Sequence, residues 1–370
     1  QDPNTRIALG GTALLGIASG VIGSLAVLRR RALIGDAVAH AALPGLWIAF
    51  YFLRERQFAG LLLGAAVAST LGILAITFLR RHTRIKEDAA IGIVLSVFFA
   101  LGMCLSRIVP ATRRGNYAGL DTFIFGKAAS MLREDVWAIA VVAGVVILGV
   151  VLFFKEFRLL CFDQSFAAAQ GWPVTALDLG LMILLVFCTV IGLPAVGVVL
   201  MAALLIIPGA AARFWTDRLG VMIVLAALFG SLAGLIGSGL SALYAHVSTG
   251  PAVVLASTAI FFVSLLLAPR RGLVADLVRR VSLRRKIGRQ NLLRALYELT
   301  EQAPAAQAPL AFDAVVAARS WLPGEVRRQL ARARRQRLVE RLGSGFGLTP
   351  AGREAALRVV RAHRLWETYL

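Results

Sequence analysis

Long apolar stretches separated by short, mostly basic connectors fill the first three-quarters of the chain. Stretches at about 7–28, 33–53, 58–79, 89–109, 134–154, 177–193, 195–212, 219–243 and 251–268 are long and apolar enough to read as membrane-spanning helices. The pattern therefore predicts an all-α polytopic membrane protein of about nine transmembrane helices. Between the sixth and seventh stretches, Gly192-Leu193-Pro194 reads either as a tight turn between two short helices or as a kink in one. Asn116–Met131 holds the apolar run Leu120–Gly126, too short to span and expected to be re-entrant or interfacial. Dense small residues, among them Gly16, Gly20, Gly23, Gly230, Gly234 and Gly237, predict close helix packing in lipid.

The pattern changes after residue 269. A basic juxtamembrane linker, 270–289, leads into a separate module, 290–370, so the chain divides into a 1–269 transmembrane domain, that linker and the module. Gln290–Glu301 is amphipathic, with Leu292, Leu293, Leu296 and Leu299 on one face, and an Ala/Pro/Gln connector follows at Gln302–Pro309. A short helix is expected near Asp313–Arg319 and a longer one from Pro323. Leu338–Thr349 reads as a two-stranded wing with a Gly-rich turn, and Thr349 as the N-cap of a last helix that begins with Pro350. Helix, helix, wing, helix is the winged-helix order, so the tail is expected to be a small α+β domain.

Composition supports that division. The chain is 58% hydrophobic with a mean hydropathy of +0.77, values of an integral membrane protein. Its formal net charge is +20, and the stretch from Pro269 to Leu370 holds 21 Lys and Arg against 8 Asp and Glu. A basic tail fits a cytoplasmic position facing anionic lipid or nucleic acid. Most basic loops fall on one side when the N-terminus is placed outside, with Arg54, Arg56, Arg107, Arg113 and Arg114 as exceptions. Cys104, Cys161 and Cys188 form no paired motif, which argues against a disulfide framework and a thiolate metal site. The sequence opens on Gln1 rather than Met, so an N-terminal piece is expected to be missing, and no signal peptide is read in what remains.

Asp36-Ala-Val-Ala-His40 carries the most informative chemistry. No other charged side chain lies in Leu33–Leu53, and residues four apart share a helix face about 6 Å apart along the axis. A carboxylate and an imidazole are costly in lipid and tend to mark an ion or substrate pathway. Pro44 has no N–H for the carbonyl of His40. Carboxylate, imidazole and a freed carbonyl suit a divalent metal such as Mn, Fe or Zn. The structural alternative is a helix-capping Asp and a packed histidine. No Gly-x-x-x-x-Gly-Lys-Ser/Thr occurs, so any ATP would be bound by another chain. His246 is expected to be packed or interfacial and His82 solvated, while Glu87 and Asp88 are expected to favour a helix N-terminus.

Three stretches resemble one family. Leu28–Gly45 is similar to the signature of ABC-transporter permeases for manganese, zinc and iron, and Arg84–Phe99 and Val196–Arg213 resemble two further segments of it. The resemblance spans 6–269. It implies a non-catalytic permease in a prokaryotic plasma (inner) membrane, in which Asp36 and His40 are pathway metal ligands. It also implies a cytoplasmic ATPase dimer, an extracytoplasmic metal-binding protein and a second permease, identical or a sister chain. Phe162–Pro173 resembles the family's ATPase-coupling segment, which makes Phe162, Asp163, Gln170 and Gly171 candidate coupling residues. Gly171 suits a helix C′ position and Pro173 prevents continuation.

The run from Leu348 to Leu370 is similar to iron- and manganese-dependent repressors of the diphtheria-toxin-repressor type, and His363 and Glu367 match metal ligands there. Arg327, Arg328, Arg332 and Arg335 are candidate DNA or anion contacts on a basic helix. Regulation or docking is favoured over operator binding. Three functions are thus expected from the residues and the two resemblances together: an ATP-driven importer subunit for manganese or iron, with zinc as a third metal; a membrane-anchored metal-responsive DNA-binding regulator; or a secondary metal carrier with no ATPase partner. The repressor-like tail alone inclines the reading to manganese or iron.

Overall fold

A computed structural model describes residues 3–29, 31–53, 57–112, 126, 131–244, 247–302, 309–319 and 321–369. The chain divides into two units, Gln1–Ala275 and Asp276–Leu370. In the first are α1 (Pro3–Leu28), α2 (Ala32–Leu53), α3 (Phe58–His82), α4 (Glu87–Thr112), α5 (Arg133–Leu152), α6 (Phe154–Phe162), α7 (Gln164–Ala169), α8 (Val174–Val196), α9 (Val198–Trp215), α10 (Leu219–Leu243) and α11 (Thr249–Leu267). Helices suit these apolar runs because lipid offers the backbone no hydrogen-bond partner, so each segment satisfies its own.

Among the described residues, eight helices are long and apolar enough to cross a membrane, and Leu200–Trp215 of α9 is a shorter apolar helix. This corrects the expectation of nine full spans. The chain also breaks later than Gly192-Leu193-Pro194 suggests. Pro194 lies inside α8, and the break falls at Gly197, whose φ of 91° is open to glycine and strained for other residues. That placement shortens α9, which nevertheless buries Met201, Leu204 and Leu205 in the core. Of the run Leu120–Gly126, only Gly126 lies within the described residues.

α1 runs through the middle of the unit, with Leu15, Ile22 and Leu25 fully buried. It touches α10 backbone to backbone: a Cβ on Gly16 would stand 2.1 Å from the Gly230 carbonyl oxygen. Such contact gives dispersion attraction where lipid supplies no hydrophobic drive between helices. Thr12 adds a hydroxyl pair with Ser238 at 2.7 Å.

A buried charge cluster ties five segments together at one end of the helices. Asp178, in the second turn of α8, accepts from Arg29 at 2.7 Å and from Arg31 at 2.6 Å. Glu87, first in α4, pairs with Arg31 at 2.6 Å and with Arg80 of α3 at 3.4 Å. Arg29 also donates to the Leu160 carbonyl of α6 at 2.9 Å. Glu87 thus sits in the first helical turn, as acids favour, while its carboxylate serves this wider network.

The second unit is built from most of α12 (Leu273–Gln302), with α13 (Phe312–Ala317), α14 (Pro323–Arg335), β1 (Val339–Leu342), β2 (Gly345–Leu348) and α15 (Pro350–Tyr369). One helix covers both the end of the basic stretch and the amphipathic 290–301 segment. Leu292, Leu296, Val315, Val326, Leu330, Val339 and Ala356 make its core. β1 and β2 pair antiparallel from Val339↔Leu348 to Leu342↔Gly345, and Leu310 bridges to Phe346. Thr349 accepts from the Gly352 N–H at 3.0 Å, the N-cap bond expected for the last helix.

Removing one partner of a buried ion pair strands the other. Asp178→Ala should therefore destabilise the detergent-solubilised protein by about 3–5 kcal/mol in a denaturant titration, whereas Asp178→Glu should cost clearly less. Equal stability of the Ala variant and the parent would show that the cluster does not hold these helices.

Candidate functional site

α2 carries the pair that the sequence singles out. Its small residues let α3 and α4 close around it: Gly45 lies against the Gly64 backbone, and Gly102 of α4 against Leu43 and Pro44. The Ser69 hydroxyl of α3 donates to the Val38 carbonyl at 2.9 Å, fixing the turn between Asp36 and His40. On that turn His40 Nε2 stands 3.3 Å from Asp36 Oδ1. The His40 ring meets Phe99 of α4 edge-on, with centroids 5.0 Å apart.

The two side chains are not sealed equally. Asp36 is 33% exposed and His40 14%, so the carboxylate opens on the accessible side and the imidazole lies deeper. His40 Nδ1 is buried and has no hydrogen-bond partner among the described residues. Buried polar atoms are nearly always paired, so an orphaned imidazole nitrogen beside a carboxylate is an unfilled donor set. Pro44 lies within α2, and its ring nitrogen offers no hydrogen to the His40 carbonyl. No group of three or more His, Cys, Asp or Glu side chains able to hold a metal occurs among the described residues. The pair thus supplies two side-chain donors, and an ion there would take its remaining ligands from carbonyl oxygen, water or another molecule.

The second candidate segment begins at the last residue of α6 and takes in the whole of α7. α6 and α7 are joined at Asp163, whose carboxylate accepts from the Phe166 N–H at 2.8 Å and from the Ser165 hydroxyl at 2.8 Å. Those bonds, the Phe166 amide first, hold the exposed Asp163 carboxyl below its ordinary range. α7 ends at Ala169, and Gly171 turns the chain with φ of 82° while its N–H reaches the Ala168 carbonyl. Phe162, Phe166 and Trp172 are all exposed here. Phe166 and Trp172 lie inside the 162–173 stretch that the sequence singles out, beside its named candidates. Gln170 is exposed at the end of the segment.

The remaining candidates separate. His82 is exposed and stacks on Phe78 at 4.5 Å. His246 lies outside the described residues, as do the side chains of His363 and Glu367, whose backbone belongs to α15. Arg328 and Arg332 line one groove of the second unit, Arg327 lies over the Phe312 ring at 5.5 Å, and Arg335 is exposed. Asp178, the hub of the buried cluster, was not singled out by sequence; a lone Asp near the start of an apolar run was the available signal.

Comparison with known proteins gives a consistent result. The model of the ABC 3 transport family matches residues 1–268. The manganese transport system membrane protein MntC of Bacillus subtilis (strain 168) is 42% identical over 372 residues, covering 100% of this chain and 85% of that protein. The zinc transport system membrane protein TroC of Treponema pallidum (strain Nichols) is 46% identical over 270 residues, 73% of this chain and 91% of that protein. The solved structure of PsaBC from Streptococcus pneumoniae in complex with Fab matches with a TM-score of 0.66 at 31% identity, over 73% of this chain and 94% of that one.

Gly171→Val forces a side chain into the left-handed region, at a cost of about 1–2 kcal/mol. Amides from Ala167 to Trp172 should then exchange with deuterium about tenfold faster than in the parent, with the helices of the first unit unchanged. Identical exchange would show that this turn does not depend on glycine.

Proposed function

The chain belongs to the ABC 3 transport family, and on that premise we propose that it is the membrane permease subunit of an ATP-binding-cassette importer for a divalent transition metal. The observation that carries the reading is the Asp36–His40 pair on α2, with its unfilled imidazole nitrogen in a membrane helix. A carboxylate and an imidazole exchange ligands readily with a hydrated divalent cation. Two donors hold it weakly enough to release, as conduction requires. Carrying sites that bind fully would trap their cargo.

Manganese or iron is the favoured cargo, with zinc as the alternative. The relatives' names span manganese and zinc, and a probable iron transport system membrane protein of Haemophilus influenzae is 31% identical over 263 residues. Oxygen and nitrogen donors without thiolate suit manganese and iron at least as well as zinc. The permease performs no chemistry itself. ATP hydrolysis belongs to a separate ATPase dimer that docks on Phe162, Asp163, Gln170 and Gly171, supported by the exposed Phe166 and Trp172 beside them. An extracytoplasmic metal-binding protein delivers the ion, and a second permease completes the pathway.

The second unit is read as a winged-helix-like cytoplasmic domain, supported by its helix order and antiparallel hairpin. The family model ends at residue 268, whereas the match to MntC of Bacillus subtilis takes in the whole chain. The tail is therefore an addition to a transporter, with a regulatory role. A membrane-anchored DNA-binding regulator, the other expectation from sequence, finds no support among MntC, TroC and the probable iron transport protein, all three named for transport.

Asp36→Ala and His40→Ala should each reduce manganese uptake into cells or proteoliposomes at least about a hundredfold, the loss expected when an ion ligand is removed. Membrane insertion and ATPase co-purification should persist, because neither side chain holds helices together. Near-parental uptake by both variants would move the pathway elsewhere.

A further inference from the structure

We propose that the first half of α12 is an inner-leaflet anchor whose basic groove takes the phosphodiester headgroups of anionic phospholipids. The last apolar helix, α11, ends at Leu267, and α12 begins at Leu273. Leu273, Val274, Leu277, Val278 and Val281 are all exposed, and at 100° per residue they share one arc of about 140°. This apolar strip covers about 12 Å of helix, followed on the same arc by Arg284 and Arg285, with Arg289 about 20° beyond its edge. An apolar strip that turns basic within two helical turns matches the order of layers crossed on leaving a bilayer: acyl boundary, then phosphate.

The basic end is built as a site. Arg284, Arg285, Lys286 and Arg289 of α12 face Arg328 and Arg332 of α14 across a groove of about 820 Å³, within the second unit. Gly288 lets the walls approach, since a Cβ there would stand 3.0 Å from Gln329 Nε2. Glu325 is the groove's only carboxylate, and it is engaged by Gln329 at 3.2 Å. Arg284, Arg285, Lys286, Arg328 and Arg332 form no ion pair among the described residues. Like charges converging from two helices repel unless anions lie between them. Gln329 Oε1 is also buried without a partner beside the groove.

Nucleic acid shares the phosphodiester chemistry. The exposed apolar strip leading into the groove, five residues beyond a membrane helix, selects lipid instead, because a duplex offers nothing to cover it. The inference depends on the chain's membrane character and not on metal transport, so it stands or falls separately from the Asp36–His40 reading.

The test uses the full chain, with its three cysteines replaced by alanine and a fluorophore on Ser282→Cys. It is reconstituted in nanodiscs of equal parts phosphatidylcholine and phosphatidylglycerol. Nitroxide-labelled phosphatidylglycerol should quench the probe about fivefold or more strongly than labelled phosphatidylcholine, the preference that a single engaged cation supplies. R284Q/R285Q/R328Q should abolish the preference, while R284K/R285K/R328K, which keeps the charge, should retain it. L277Q/V278Q should weaken quenching by both lipids, because the strip no longer anchors the helix. Equal quenching by both lipids in the parent would overturn the proposal. Displacement of labelled phosphatidylglycerol by nanomolar duplex DNA would overturn it in favour of nucleic acid.

Discussion

One buried and one half-buried carboxylate, shared among three guanidiniums, are the constraint on which the first unit depends. Asp178 and Glu87 hold Arg29, Arg31 and Arg80 where five segments meet, and side-chain exposure is only 11% for Asp178 and 7% for Arg31. Burying so much charge is justified only by short, multiple bonds, because each unpaired ion would cost several kcal/mol. Such a cluster has one low-energy arrangement. It therefore fixes the ends of α3, α4 and α8 relative to the entry into α2. Hydrophobic packing alone would not choose that register, since lipid solvates leucine as well as another helix does.

That choice bears directly on the proposed pathway. Arg31 immediately precedes α2, and Asp36 lies about 7.5 Å further along at 1.5 Å per residue. Arg29 meanwhile donates to the Leu160 carbonyl in α6, the helix joined to the aromatic-rich turn. One set of bonds thus links the segment read as the ATPase contact to the helix that carries the Asp36–His40 pair. The space beside the cluster is about 10 Å³, roughly the room for one water.

Much of this was legible in sequence, and for physical reasons. Spans could be read because lipid imposes length and hydrophobicity, and the Asp36–His40 pair because its charge is expensive in such a run. Turn chemistry fixed Gly171 and Thr349, where one backbone angle or one hydroxyl decides the local structure. The break between α8 and α9 was left open in sequence, between a turn and a kink at Gly192–Pro194, because Pro194 and Gly197 are both breakers. The competition was settled by tertiary packing, which tolerates a proline in a last turn. The Asp178 cluster was hidden for a different reason. Its members come from residues 29, 31, 80, 87 and 178, and no local spacing records that they meet.

The same distinction separates the two units. The bundle must satisfy lipid everywhere, and its most deeply buried charges, Arg29, Arg31 and Asp178, are paired in the cluster. The second unit keeps a small apolar core under a strongly basic exterior, so its surface charge is free to answer to whatever anion lies near. A bundle tuned by buried, saturated charges gains little from changes in its surroundings. In the second unit Arg284, Arg285, Arg328 and Arg332 have no acidic partner among the described residues, and such cations respond to their surroundings strongly. The regulatory role proposed for the tail fits that contrast, because cations without acidic partners among the described residues gather there, while the buried charges of the bundle are engaged in holding its helices.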